Sequence, residues 1–169
     1  MKMNAEKKLK SISVHPCKSE VFVNVEPMTT PTIYHDLLLE HARHPKNSGR
    51  IDKPDLQAFA QNPLCGDELE LTLALSGEVI QDCKTQVRGC SICQASASMM
   101  SELILAKTLK EARQTSQIFT ESLRKATCEI PETLESLRPL IALKTHRSRI
   151  KCMKLAWDAL EDCAVQHQT

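Results

Sequence analysis

The clearest pattern in the chain lies at Leu69, Leu71, Leu73 and Leu75, which alternate with Glu70, Thr72 and Ala74. Strict alternation is the period of a strand with one buried face. Ser76-Gly77 supplies a turn and Val79 to Val87 reads as the returning strand, so the two form a hairpin. A further strand over about Gln57 to Gln61 precedes them. Ahead of the sheet, Ile33, Leu37, Leu38 and His41 recur at helical spacing, with Thr32 as the cap, Pro45 as the stop and Asn47-Ser48-Gly49 as the following turn. Beyond Cys90 the period becomes helical, with Ala95, Met99, Leu103 and Ala106 as one apolar stripe. Thr108-Leu109-Lys110-Glu111 is a capping box that opens the next helix. Pro131 opens a short helix through Leu134 and Leu137 up to Pro139, and Ile150, Met153, Trp157, Leu160 and Ala164 mark the core face of the last one. The expected fold class is α+β: a small antiparallel three-stranded sheet packed against about five helices. Residues 1–30 mix Lys, Glu, Ser and Pro without a stable period and read as a loosely ordered extension; residues 31–169 read as one domain.

Composition narrows the function classes. The 169 residues are 41% hydrophobic and 25% charged, enough for a single domain with a real core, and with aromatics at 3% that core must be aliphatic. A net charge of +1 argues against a nucleic-acid or anionic-membrane surface as the main business. No apolar run approaches membrane-spanning length, and Val21 to Val25 is too short for a signal peptide, so the expected location is cytoplasmic. Eight cysteines in a reducing compartment point to metal or sulfur chemistry; a secreted disulfide framework is the competing reading, against which the missing signal argues.

Three stretches carry the candidate chemistry: Asn62-Pro63-Leu64-Cys65-Gly66-Asp67, Arg88-Gly89-Cys90-Ser91 and Arg149-Ile150-Lys151-Cys152. In an extended segment Cys65 and Asp67 project to the same side and reach a common point. Cys90 precedes a small-residue run that starts a helix, where free backbone N–H groups favour a thiolate. Cys152 follows Arg147, Arg149 and Lys151, whose charge acts in the same sense. Three activated sulfurs and one carboxylate suit a borderline-soft tetrahedral ion such as zinc, so Cys65, Asp67, Cys90 and Cys152 read as one metal and sulfur site. Cys90-Ser91-Ile92-Cys93 is also a C-x-x-C, but a zinc knuckle needs a second pair and a thioredoxin-like site needs a βαβ context. Cys83 reads as a small buried hydrophobe, and His41 and His44 as imidazoliums complementing a helix end, with a ligand or partner-docking role as the rival reading. Cys17, Cys128 and Cys163 receive no role.

These blocks, together with Ala95-Ser96-Ala97-Ser98-Met99-Met100, Leu155-Ala156-Trp157 and His41-x-x-x-Pro45-x-Asn47-x-Gly49, resemble the signature blocks of the NifU/IscU/SufU family of iron–sulfur cluster assembly proteins. The resemblance covers about residues 32 to 163 in the same order. In scaffolds of the IscU type the third cysteine follows a histidine and an LPPVK-like segment. This chain has Lys151 and Leu140-Ile141-Ala142-Leu143-Lys144 there, and a longer stretch between Cys90 and Cys152, so it is most similar to SufU. Val87 stands where SufU-like chains have the first glycine of G-x-G-C, and Cys93 where they have a small or hydroxyl residue. Simple burial accounts for Cys93; the rival reading is a fourth thiol that competes for metal or oxidises with Cys90.

The resemblance implies the sheet-and-helix fold with the site at one tip, and a zinc-dependent sulfur transfer. A SufS-like cysteine desulfurase docks, one of its histidines takes over a zinc position, and Cys65 attacks the terminal sulfur of the desulfurase persulfide. Asp67, Cys90 and Cys152 keep the zinc, and the sulfur passes on to a downstream iron–sulfur scaffold. Three thiolates and a carboxylate outweigh a divalent ion, so a cation is needed nearby; Arg149 is the candidate, with Lys151 next. The alternative is that the chain is itself a scaffold, with the same four residues holding a 2Fe–2S cluster.

Overall fold

The computed structural model describes residues 30–125 and 130–167. The chain runs α1 (Thr30–Arg43), β1 (Leu56–Asn62), β2 (Asp67–Ser76), β3 (Val79–Arg88), α2 (Ser91–Ile104), α3 (Leu109–Arg124), a 3-10 turn (Glu132–Leu137), α4 (Arg138–Ala142), a second 3-10 turn (Leu143–Thr145) and α5 (Arg147–Gln166). The strands make one antiparallel sheet in the order β1-β2-β3. The expected α+β class, three-stranded sheet and five helices are all present. The extension read at residues 1–30 falls almost wholly outside the described residues, as do Cys17 and Cys128.

Leu69, Leu71 and Leu73 on β2 are fully buried, which is what their alternation requires. They face α5, while α2 packs along β3 and, on its other side, against α1. Trp157 on α5 stacks on Phe119 of α3 with ring centroids 4.6 Å apart, and the remaining core is Leu, Ile, Ala and Met. The opposite face of the sheet is partly covered by the α1–β1 connection. Gly49 and Asn47 bond to the backbone of Thr85 on β3, the Ile51 N–H donates to Thr72 Oγ1, and Asp55 N–H donates to the Leu73 carbonyl. The half of that face nearer the β1–β2 loop stays open, with Phe59 61% exposed.

Several expectations need correction. Helix α1 begins at Thr30, so Thr32 lies inside it, and Pro31 occupies its first turn, where a missing N–H costs nothing. Ala106 is not on the α2 stripe: the helix ends at Ile104, and Ala106 adopts φ 60 in a loop bonded to the start of β3. Nor is α2 one-sided. Cys93, Ala95 to Ser101 and Ile104 are all buried, because helices lie on two sides of it and the sheet on a third. Its buried serines are satisfied internally. Ser96 donates to the Met153 carbonyl at 2.6 Å and accepts from Trp157 Nε1 at 3.2 Å, and Ser98 accepts from the Lys46 N–H at 2.8 Å. Pro139 opens α4 instead of ending a helix, again by sitting in a first turn. His41 is buried and bonded through Nδ1 to Ser98 Oγ at 2.8 Å; burial holds it below its ordinary value against the pull of Glu102, so it is a neutral packing residue and not an exposed imidazolium. The capping box at Thr108 and Glu111 forms as read.

Candidate metal centre

The β1–β2 hairpin, the β3–α2 junction and the second turn of α5 meet at one end of the sheet. Asn62 and Asp67 close the hairpin as a cross-strand pair, leaving Pro63 to Gly66 as a four-residue loop. Asn62 shapes that loop. Its carbonyl accepts from Gly66 N–H at 2.9 Å, its side-chain oxygen accepts from Leu64 N–H at 3.2 Å, and Gly66 takes φ 72, a region open to glycine at little cost. Cys65 therefore sits in the turn that Pro63 and Gly66 imply, converging with Asp67 through that turn and not along an extended segment, and the turn leaves it exposed. Asp67 begins β2 and is 2% exposed.

Chain direction brings the second thiol alongside. Glu68 pairs with Arg88, so the residue after Arg88 passes beside Asp67. That residue is Gly89, and a Cβ placed on it would stand 2.7 Å from Asp67 Oδ1. With no side chain in the way, Asp67 Oδ1 accepts the Cys90 N–H at 2.9 Å and Oδ2 lies 3.4 Å from Cys90 Sγ. Cys90 is the residue that caps α2, in extended conformation, as its place before the small-residue run requires. From α5, the buried Cys152 brings its Sγ to 3.7 Å from Cys65 Sγ. Asn62 Nδ2 reaches the same sulfur at 4.0 Å.

The ligand atoms of Cys65, Asp67 and Cys152 all lie within 4.8 Å of one another, and Cys90 joins them through the Asp67 carboxylate. Tetrahedral zinc with ordinary bond lengths separates two sulfurs by about 3.8 Å and a sulfur from an oxygen by about 3.6 Å. The Cys65–Cys152 sulfur pair at 3.7 Å and the Cys90 sulfur to Asp67 oxygen pair at 3.4 Å are close to these values; Cys90 lies outside the 4.8 Å group and touches it through Asp67, and the soft donor types fit the same ion. For Asp67, burial acts to raise the pKa but is outweighed by hydrogen bonds from Cys65, the Cys90 N–H, Cys152 and the Cys90 thiol, which hold the carboxyl below its ordinary value. Burial, then the bonds to Asp67 and Cys65, pushes the Cys152 thiol up when no cation is present. The centre thus gathers thiols around one ionised carboxylate, an arrangement that a divalent cation would complete by displacing their protons.

Other sequence candidates lie apart. Arg149 is exposed one turn before Cys152 on α5 and makes no ion pair among the described residues; Lys151 is exposed as well. Cys93 is fully buried, and burial followed by the charge of Asp67 pushes its thiol up to about 12. Cys83 and Cys163 are buried and pushed up to about 12 for the same first reason. Sequence reasoning missed the parts played by Asn62 and Gly89. The Asn-Pro start of the loop is a turn signal that pointed to the first, but the second depends on strand register.

Residues 33–169 match the NifU-like N terminal domain family. The chain belongs to that family. Among relatives, it is 34% identical over 130 residues to the zinc-dependent sulfurtransferase SufU of Bacillus subtilis (strain 168), covering 77% of this chain and 88% of that one. It is 30% identical to the iron-sulfur cluster assembly scaffold protein IscU of Streptococcus pyogenes serotype M1, over 77% and 81% of the two chains. A crystal structure from Fervidobacterium islandicum AW-1, a scaffold candidate of the SUF system, superposes with a TM-score of 0.73 at 28% identity, covering 79% of this chain and 97% of that one. The NifU-like family member described here is thus one of the iron–sulfur cluster assembly proteins, as its sequence blocks implied. Among the described residues no helix is long and apolar enough to cross a membrane.

Proposed function

We propose that this protein is a cytoplasmic zinc-dependent sulfur acceptor that takes persulfide sulfur from a cysteine desulfurase onto Cys65 and hands it to a downstream iron–sulfur scaffold. The observation that carries the reading is the contrast within the centre: Cys65 is the exposed thiol of the described residues, whereas Cys152 is buried and Cys90 half-buried. Among the described residues Cys65 is the thiol most open to another protein. The name of the Bacillus subtilis relative supports the same assignment.

Cys65, Asp67, Cys90 and Cys152 would hold the zinc, which when bound keeps their thiols deprotonated at neutral pH. The reacting group is the Cys65 thiolate. It attacks the terminal sulfur of the donor persulfide; a bond forms from Cys65 Sγ to that sulfur as the donor S–S bond breaks, and the electron pair leaves with the donor cysteine as a thiolate. No external oxidant or reductant is needed. Pro63 to Gly66 are all exposed whereas Asp67 is buried and anchored by the Cys90 N–H, so the loop is the part of the centre that can yield Cys65 while Asp67 keeps its place. Arg149, on the same helix as Cys152 though outside the donor set, is the cation assigned by this reading to balance the excess negative charge of the centre.

Sulfide release by a SufS-like desulfurase, measured with and without this protein, tests the reading together with metal content and visible spectrum after anaerobic purification. About one zinc, no colour, and stimulation that a folded Cys65→Ala variant lacks are the expected results. The relatives named IscU favour a second reading, a cluster scaffold. Iron, acid-labile sulfide and a brown colour with little stimulation would establish that reading instead.

A further inference from the structure

Arg124, Lys125, Lys144, Arg147, Lys151 and Lys154 line one groove between the end of α3, the 3-10 turn at Leu143–Thr145 and the first half of α5. The groove encloses about 620 Å³; Leu123 and Ile150 give it an apolar lining, and among the described residues no acidic side chain lines it. Acids at its margin answer two of the cations, Glu121 at 3.3 Å from Lys125 and Asp158 at 3.1 Å from Lys154. Lys144 Nζ donates to the Lys125 carbonyl at 3.1 Å. Arg124, Arg147 and Lys151 are exposed and make no ion pair among the described residues. The chain as a whole carries a net charge of only +1, so this is a local concentration and not a generally basic surface. Like charges gathered around one concavity repel, and an anionic occupant relieves that repulsion.

The groove also leads to the metal centre. A smaller hollow of about 250 Å³ shares Lys151 and Lys154 and is completed by Leu155, by Asp158, which pairs with Lys154, and by Gln61, Asn62 and Pro63 at the root of the loop that carries Cys65. We propose that the groove docks an acidic segment, with an apolar residue among its carboxylates, of the sulfur-donating partner protein, and that this docking aligns the partner's persulfide with Cys65. The inference rests on the transfer reading above. A protein occupant is favoured over a nucleic acid because, among the described residues, the lining contains no aromatic side chain on which a base would stack, and because the chain lacks the basic excess such binding needs.

The test uses the full chain and a SufS-like desulfurase, and measures both equilibrium binding and the concentration of this protein that half-saturates stimulation. Arg124→Glu/Arg147→Glu reverses two exposed charges away from the metal ligands. Lys53→Glu/Lys110→Glu makes the same change in net charge elsewhere, with Lys110 at the opposite end of α3 from Arg124. The groove variant is expected to need about tenfold more protein for half-saturation, with maximal stimulation and zinc content unchanged, and to lose most of the salt dependence of binding. The control variant is expected to stay within about twofold of the parent. Equal half-saturation for the groove variant and the parent overturns the groove while leaving sulfur transfer standing. Tight, groove-dependent binding without stimulation overturns the transfer reading and leaves the docking surface standing. Groove-dependent binding of poly(U), with desulfurase binding indifferent to the reversals, assigns the surface to nucleic acid and overturns the proposal.

Discussion

Replacing Gly89 by alanine adds one carbon at the place where the metal centre is tightest. An added Cβ would stand 2.7 Å from Asp67 Oδ1, 2.8 Å from its Cγ and 2.9 Å from its Cβ. All three are carboxylate-side atoms of a buried residue at a strand end, so no flexible tip can swing aside. Ordinary contact needs a separation larger by roughly half an ångström or more, and a displacement of that size is what site geometry does not tolerate. Gly89 does not occupy the left-handed region, so the effect is purely one of space. Overpacking of this kind costs about 1–3 kcal/mol. The displaced carboxylate also loosens its bond to the Cys90 N–H, now 2.9 Å. Gly89→Ala is therefore expected to weaken zinc about 10–100-fold, measured by competition with a chromophoric chelator. It should lower the thermal midpoint of the metal-free protein by roughly 3–10 °C. Gly66→Ala serves as the comparison: its Cβ meets nothing within 4 Å, and only its φ of 72 is strained. Zinc affinity within twofold of the parent, with an unchanged midpoint, would refute the claim that Gly89 is required by the approach of Asp67.

Three further outcomes follow from positions outside the metal ligands. Ala106 holds φ 60, so Ala106→Gly is expected to stabilise the fold by about 0.5–1 kcal/mol in urea unfolding, and a loss of stability would contradict the strain. His41 is held below 6.5 first by burial, so the unfolded chain takes its proton at higher pH than the folded one. The stability tied to neutral His41 is then fully present above 6.5 and lost as pH falls below it, until the folded side chain itself protonates. Between about pH 7.5 and 5.5 the parent should lose more stability than His41→Gln, and equal slopes would remove His41 as the cause. Cys93 is buried with its thiol pushed up to about 12, so Cys93→Ala is expected to leave zinc content and peroxide sensitivity unchanged; a drop in either would make it a working member of the centre.

The local patterns carried most of the fold. Alternation at Leu69 to Leu75 located β2, the Thr108 capping box located the start of α3, and the spacing of Met153, Trp157 and Leu160 located the face of α5. These features answer to period and to chemistry within a few residues, so they are legible one segment at a time. The start of α1 at Thr30 and the role of Pro139 differ from the sequence reading because a proline in a first turn and one after a helix look alike until the neighbouring turn is known, and the end of α2 at Ile104 differs because the Ala106 loop bonds to the remote strand β3.

For the centre, the types and sequence positions of Cys65, Asp67, Cys90 and Cys152 were enough to nominate them as one donor set. Their convergence was decided by tertiary structure: antiparallel register set Gly89 beside Asp67, and α5 crossed the same sheet end to deliver Cys152. Exposure was decided there too. Cys65, Cys90 and Cys152 are alike as residues, yet a turn leaves the first open to a partner while packing encloses the last. The cationic groove was equally invisible along the chain, since Arg124 and Lys125 lie far in sequence from Lys144 to Lys154. Charge and thiol chemistry belong to the residues; proximity and access belong to the packing of segments remote in sequence, which no local pattern encodes.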